Sequence, residues 1–321
     1  MNRLPALGTI LVFLLGYALC AVQFPAIASV RVAADLLTDN AFLGIVAVGM
    51  TFVIISGGID LSVGSVIGFT TVFLAVAIQH FGLPPLVAFA AVLGVCALFG
   101  AAMGAFILWL DMPPFIVTLA GMFLARGAAF LLSTESIPID NPFYAAMDDH
   151  ALRLPSGGRL GVVAVLMLAV FLIGGVVLRY TKFGMGVRAL GGNRNAAALM
   201  GLPAGRYTIG VYVLSSTLAG LAGIAFSLYT SSGYSLSAVG VELDSIAAVV
   251  IGGTLLSGGA GSVLGTFVGV LIQGLILTYI NFDGTLSSWW AKIATGFLLF
   301  AFITFQQVST SYTRRRLAAA R

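Results

Sequence analysis

Residues 179–206 read RYTKFGMGVRALGGNRNAAALMGLPAGR, and the rest of the chain can be oriented from them. The stretch carries Arg179, Lys182, Arg188, Arg194 and Arg206 and no acid. Set between long apolar runs, a loop of one positive sign stays on the cytoplasmic side, because Lys and Arg resist translocation. Within it, Asn193 reads as an N-cap, residues 194–200 as two turns of helix formers, Gly201 as the stop and Pro203 as the residue beyond it. Two turns do not hold as a helix alone in water. A short helix showing Ala196, Ala197, Leu199 and Met200 to the cytosol is expected to lie in a partner's groove. The segment is predicted to be a docking element.

Composition gives the class. With 60% hydrophobic and 8% charged residues, 40 glycines and a mean hydropathy of +1.10, the 321 residues describe a polytopic membrane protein and exclude a soluble domain. The first apolar run, after Arg3, is too long for a signal peptide, and Leu19 before Cys20 does not suit a lipoprotein cleavage site. Cys20 and Cys96 lie inside apolar runs, and His80 and His150 lie far from any cluster of ligand spacing, so neither a disulfide nor a metal site is expected.

A hydrocarbon core of ~30 Å needs about 20 apolar residues per helix, with allowance for short broken spans. About ten runs qualify, at 6–24, 39–57, 62–80, 86–109, 113–133, 160–178, 207–228, 244–257, 262–281 and 287–307. The predicted fold is all-α, about ten transmembrane helices with breaks among them, in a single transmembrane domain over 1–321. An even number of spans places both termini on one side. Arg3 at one end and Arg314, Arg315, Arg316 and Arg321 at the other put that side in the cytoplasm. The loop at 134–159 has a net acidic balance, with Glu135, Asp140, Asp148 and Asp149 against Arg153 and Arg159, which suits the opposite face. Trp289 and Trp290 fall where an aromatic belt belongs.

Two spans meet at residues 56–69, SGGIDLSVGSVIGF, where a helix is expected to break. Irregular backbone at membrane depth survives only when packed in protein or lining a wet path, which makes Gly57, Gly58, Asp60 and Ser62 the candidate pathway or gate. Asp60 or Ser62 reads first as a cap on the following helix, with a gate or an ion site as the alternatives. A similar string, GGTLLSGGAGSVLGTFVG at 252–269, overlays the first with a two-residue gap and hints at an internal repeat. Arg126 reads as a snorkelling residue, with a pairing or pathway role as the alternative. Glu242, Asp244, Asn281 and Asp283 read as caps and solvated charges at outer helix ends.

The chain's two lysines, Lys182 and Lys292, lie in TKFG and AKIA, so no Walker A loop is present. Neither a Ser, His and Asp set nor a string of intramembrane carboxylates is present. Catalysis is not expected, and a path almost free of charge suits a neutral polar solute.

The strings GGIDLSVGSVIGF and ALGGNRNAAALMG together resemble the signature pair of the sugar-type ABC importer permeases of the ribose, xylose, arabinose and galactofuranose systems. NAFLGIVAVGMTFVIISGGIDLSVGS, VGVELDSIAAVVIGGTLLSGG and TYINFDGTLSSWW are most similar to galactofuranose importer permeases. The resemblance covers nearly the whole chain. It implies a bacterial inner-membrane subunit that pairs with a second permease, same or homologous, docks an ATPase subunit below and receives a monosaccharide from a periplasmic binding protein. It implies no cofactor and no nucleic-acid partner. Asn195, Ala196, Ala197 and Gly201 align with the family's coupling motif, whose acidic first position is Asn195 here, and Gly191, Gly192 and Asn193 lead into it. An ion-coupled carrier using Asp60 and a branched-chain amino-acid permease are the alternatives.

Overall fold

The computed structural model describes residues 4–154 and 157–319 and is mostly helical, 77% of the chain. Arg3 and Arg321, which enter the topology argument, lie outside the described residues. The helices are α1 (Leu4–Gln23), α2 (Val30–Asp39), α3 (Ala41–Ile55), α4 (Val63–Gln79), α5 (Pro85–Trp109), α6 (Pro114–Leu132) and α7 (Pro142–Asp149). They continue with α8 (Val162–Tyr180), α9 (Lys182–Gly192), α10 (Arg194–Leu199), α11 (Ala204–Thr230), α12 (Val241–Ile251), α13 (Val263–Asp283) and α14 (Trp289–Ala319).

Local chemistry sets several of these ends. Pro85 and Pro114 sit in the first turns of α5 and α6, where a missing N–H costs nothing and the fixed φ suits a helix. Ser29 caps α2, Asn141 caps α7 and Ser262 caps α13 through side-chain oxygens.

Among the described residues, five helices are long and apolar enough to cross a membrane, or six if α2 and α3, bent by 55° at Asn40, count as one span. Gly8–Gln23, Val63–Gln79 and Trp289–Thr304 are shorter apolar helices. Each of the ten runs read from the sequence therefore holds a helix. The run at 244–257 holds α12, 11 residues long, which at 1.5 Å per residue spans about half of a hydrocarbon core.

The centre of the molecule is α3, in which every residue except Phe42 is buried, as suits a helix that is apolar all round. The longest fully described partner, α11, packs against α3, α4 and α5. Glycines let these backbones approach. A Cβ at Gly104 would lie 2.8 Å from Ile209 Cα, and one at Gly220 2.7 Å from Cys96 Sγ. Close packing of small residues takes the place of a hydrophobic driving force inside lipid. The outer helices α5, α6, α8 and α14 leave Leu98, Phe123, Leu172 and Phe297 more than two-thirds exposed, an apolar surface a bilayer would cover.

Two short antiparallel ladders lie between the helices. β1 (Ile137–Pro138) pairs with β4 (Ser232–Gly233), tying the 134–159 loop to the end of α11. β2 (Leu152–Arg153) pairs with β3 (Arg159–Leu160).

Candidate functional site

The helix break expected near Gly57 is present, and its geometry follows from two residue types. Gly57 takes φ +88°, a left-handed conformation that residues with a Cβ rarely adopt, so α3 stops there. The N–H of Gly57 donates to Ile54 O and that of Gly58 to Val53 O, both at 3.0 Å, which satisfies the carbonyls at the end of α3. Asp60 then closes the turn. Its Oδ1 accepts from the N–H of Ser62 at 2.9 Å and from its hydroxyl at 2.6 Å, and its Oδ2 accepts from Ser215 Oγ of α11 at 2.7 Å. Asp60 and Ser62 are fully buried.

The expected capping role needs a correction. Ser62 holds the N-cap position of α4 without a side-chain cap bond, and its hydroxyl donates to Asp60 instead. Asp60 serves the residue before the helix and, through Ser215, fastens the break to α11. Beside it, the buried Tyr212 hydroxyl has no hydrogen-bond partner among the described residues and lies against the Cα of Gly58, where a Cβ would collide with it. Thr118 of α6 donates to Ile59 O at 3.2 Å and gives the break a third neighbour.

The second glycine-rich string forms a break of the same kind. Gly253 takes φ +87°, its N–H donates to Val250 O at 2.9 Å, and that of Thr254 donates to Val249 O at 3.2 Å, the same two-bond stop as at Gly57 and Gly58. The spatial register differs from the one read from the strings. The left-handed glycines are Gly57 and Gly253 and the N-cap serines are Ser62 and Ser262, so the second break is four residues longer. The extra length holds the turn through Gly258 and Gly259, whose φ values are +83° and +77°. The halves meet at the buried Thr51 and Thr266 hydroxyls, 2.7 Å apart, and where Gly259 N–H donates to Ile55 O at 2.8 Å.

The basic stretch 179–206 folds as two helices and not as a loop with one. α9 went unread because Gly184, Gly186, Gly191 and Gly192 give it poor helix propensity. Its signal was Thr181, whose hydroxyl accepts from Gly184 N–H at 3.2 Å as an N-cap. Gly184 and Gly186 are required by packing, against the carbonyl of Leu178 and the ring of Tyr207. α10 starts as read, with Asn193 Oδ1 accepting from Ala196 N–H at 3.0 Å, and ends at Met200 and Gly201, the latter at φ +77°.

The face of α10 needs a correction. Ala197 is buried inside this chain at 1% exposure and Ala196 is half-buried, whereas Leu199 and Met200 stand out at 90% and 70%. Arg194, Asn195 and Ala198 are exposed with them. The outward face is therefore built on Leu199 and Met200. Gly192 is exposed, with open space where a Cβ would stand, and Gly191 is wedged against the first break.

A further element escaped the sequence reading. Between α11 and α12, residues 231–240 hold β4 and then run as turns along α4, with Ser231 and Ala238 in the left-handed region. Gly233 packs on the Thr71 carbonyl, Ser235 and Ser237 lie over Gly68, and Ala238 and Glu242 lie over Gly64. Arg126 of α6 reaches across Gly68 to donate from one guanidinium nitrogen to Ser235 O and, at 2.9 Å, to Ser237 O. Arg126 is thus a pairing residue rather than a snorkelling one, with one guanidinium nitrogen held by two carbonyls of this segment. Glu242 accepts from Gly240 N–H at 3.2 Å, and Asp244 is ion-paired with Lys292 of α14 at 2.6 Å rather than free in solvent.

Comparison with known proteins identifies the family. Residues 32–303 match the family described as branched-chain amino acid transport system, permease component. The chain is 61% identical to the inner membrane ABC transporter permease protein YjfF of Escherichia coli K12, over 95% of this chain and 92% of that protein. It is 36% identical to the fructose import permease protein FruG of Bifidobacterium longum, over 95% and 91% of the two chains. With the ribose import permease protein RbsC of Escherichia coli K12 the identity is 38%, over 79% and 78%. No solved structure matches the chain. The chain therefore belongs to this family of ABC transporter permeases, alongside the sugar import permeases, and is a transport component rather than an enzyme.

Proposed function

We propose that the chain is the membrane subunit of a bacterial inner-membrane ABC importer and forms half of a sugar pore with a second permease. The topology has about ten spans, both termini and residues 179–206 in the cytoplasm, and residues 134–159 outside, supported by the signs of the loop charges. An ATPase subunit docks on the cytoplasmic side and a periplasmic binding protein delivers sugar from the other. The observation that carries this reading is α10, a capped two-turn helix on the all-basic stretch that turns Leu199 and Met200 outward. Exposed apolar side chains on so short a helix are stabilised by a partner's groove.

The substrate proposed is a neutral monosaccharide, galactofuranose first. Sugar names on the relatives FruG and RbsC support the class, and the strings quoted above support the furanose. Transport proceeds by alternating access, with rigid spans reorienting about the breaks at 56–62 and 252–262 when the ATPases close. The test is uptake by the reconstituted complex, with labelled galactofuranose competed by ribose, arabinose, galactose and leucine. Competition by sugars but not by leucine is expected. Competition by leucine alone would refute the sugar reading, and uptake that followed an ion gradient at constant ATP would refute the importer class.

A further inference from the structure

Three backbones meet in one place on this molecule with no side chain between them. The last carbonyl of α3, on Ile55, accepts from the N–H of Gly259 in the second break at 2.8 Å. Gly191, in the last turn of α9, sits against that hydrogen bond. A Cβ built there would overlap the Ile55 oxygen and lie 2.8 Å from the Gly259 nitrogen. From the second break, a Cβ at Gly258 would lie 2.9 Å from Gly191 O and 3.0 Å from Gly57 Cα, and one at Gly259 would lie 2.9 Å from Gly192 Cα.

These contacts require glycine, and together they link all three pairs among α9, the first break and the second. The arrangement has a mechanical meaning. Side chains can change rotamer and absorb a displacement, whereas backbones in van der Waals contact and bridged by a hydrogen bond pass it on. α9 is joined to α10 through the single residue Asn193, whose side chain is itself fixed as the α10 cap. A push on α10 therefore reaches Gly191 within one turn of helix.

We infer that this glycine junction is the transmission point of the transporter, where displacement of α10 is delivered to both helix breaks together. The inference rests on the reading of α10 as the ATPase dock. It assigns Gly191, Gly258 and Gly259 as positioning residues, with Gly191 the member between the dock and the pore. Because the two breaks receive the same displacement, the half-spans α4 and α13 reorient as a pair.

The test uses the full permease, reconstituted with its ATPase subunit and binding protein. Gly191→Ala is compared with the parent and with Gly175→Ala, a control on α8 where an added Cβ meets nothing within 4 Å. Two quantities are read, capture of the ATPase subunit by the tagged permease and galactofuranose taken up per ATP hydrolysed. Gly191→Ala is expected to capture the ATPase as the parent does while uptake per ATP falls about tenfold, the size of a typical coupling free energy. Gly175→Ala is expected to match the parent in both. A structural role alone would lower the amount of complex and leave uptake per ATP unchanged, so an unchanged ratio overturns the inference. Loss of ATPase capture by Gly191→Ala also overturns it, since the contact would then shape the dock and not transmit. Should Gly191→Ala not integrate into the membrane, Gly259→Ala on the opposite side of the junction is read in its place, with the same expected and overturning outcomes. A parent that captures no ATPase subunit sinks the docking reading itself, which separates that failure from this one.

Discussion

Asp60 and Arg126 are ionisable side chains inside an apolar protein, and each is held by hydrogen bonds to neutral groups. Asp60 accepts three hydrogen bonds from neutral donors, none from a Lys or Arg. That suits a structural tie and not an ion relay, which needs a second exchangeable group within reach. Asp60→Asn keeps one acceptor oxygen for Ser62 and can donate its amide N–H to Ser215, so transport is expected to fall no more than severalfold and to remain independent of the proton gradient. Asp60→Leu strands the buried donors of Ser62 and Ser215 at about 1–3 kcal/mol each. It is expected to lose transport and lower the melting temperature of the detergent-solubilised protein. Arg126 does for residues 231–240 what Asp60 does for the break. Arg126→Met frees two carbonyls and is expected to destabilise the fold by roughly 2–3 kcal/mol, read as a lower denaturation midpoint. If Arg126→Met melted with the parent, the guanidinium would not be holding that segment.

For the helices, the question is which face each presents. α10 was read from its caps, and the caps are where the sequence put them, but the small residues are split between inside and outside. Ala197→Asp would bury a charge within this chain, so it is a poor probe of docking. Leu199→Asp and Met200→Asp change residues that touch solvent, and are expected to leave expression and thermal stability within about 0.5 kcal/mol of the parent. Capture of the ATPase subunit is expected to drop by about tenfold or more, because a buried unpaired charge costs as much as a contact hot spot contributes. Normal capture by both variants would mean that α10 is only a connector. Asn193→Ala removes the hydrogen bond to Ala196 and is expected to weaken α10 by about 1 kcal/mol, giving partial loss of capture.

At the scale of the molecule, the topology is the claim open to direct measurement. With Cys20 and Cys96 replaced, a single cysteine at Glu135 is expected to react with an impermeant thiol reagent from outside only. One at Arg194 is expected to react only once the membrane is opened. Both positions are exposed in this chain, and with the permease expressed without the ATPase subunit proposed to cover α10, lack of reaction reports sidedness and not burial. Labelling of both from the same side would discard the ten-span arrangement. The short α12, entered through the 231–240 segment, is the element that most needs a cavity or a protein neighbour, since a backbone without a helix is not stable against lipid.

The sequence determined what depends on near neighbours along the chain. Apolar runs marked the helices, Asn193 and Gly201 marked the ends of α10, and paired glycines marked the first break, because hydropathy, caps and left-handed stops act within a few residues. Tertiary structure decided what depends on residues far apart. Asp60 is tied to a serine 155 positions away and Arg126 to a carbonyl 111 positions away. Nothing in either local stretch names those partners. The inward turn of Ala197 and the true register of the second break against the first likewise follow from which backbones come into contact. That contact is set by packing around α3, and a glycine's reason for being there is visible only when the chain it lets approach is in place.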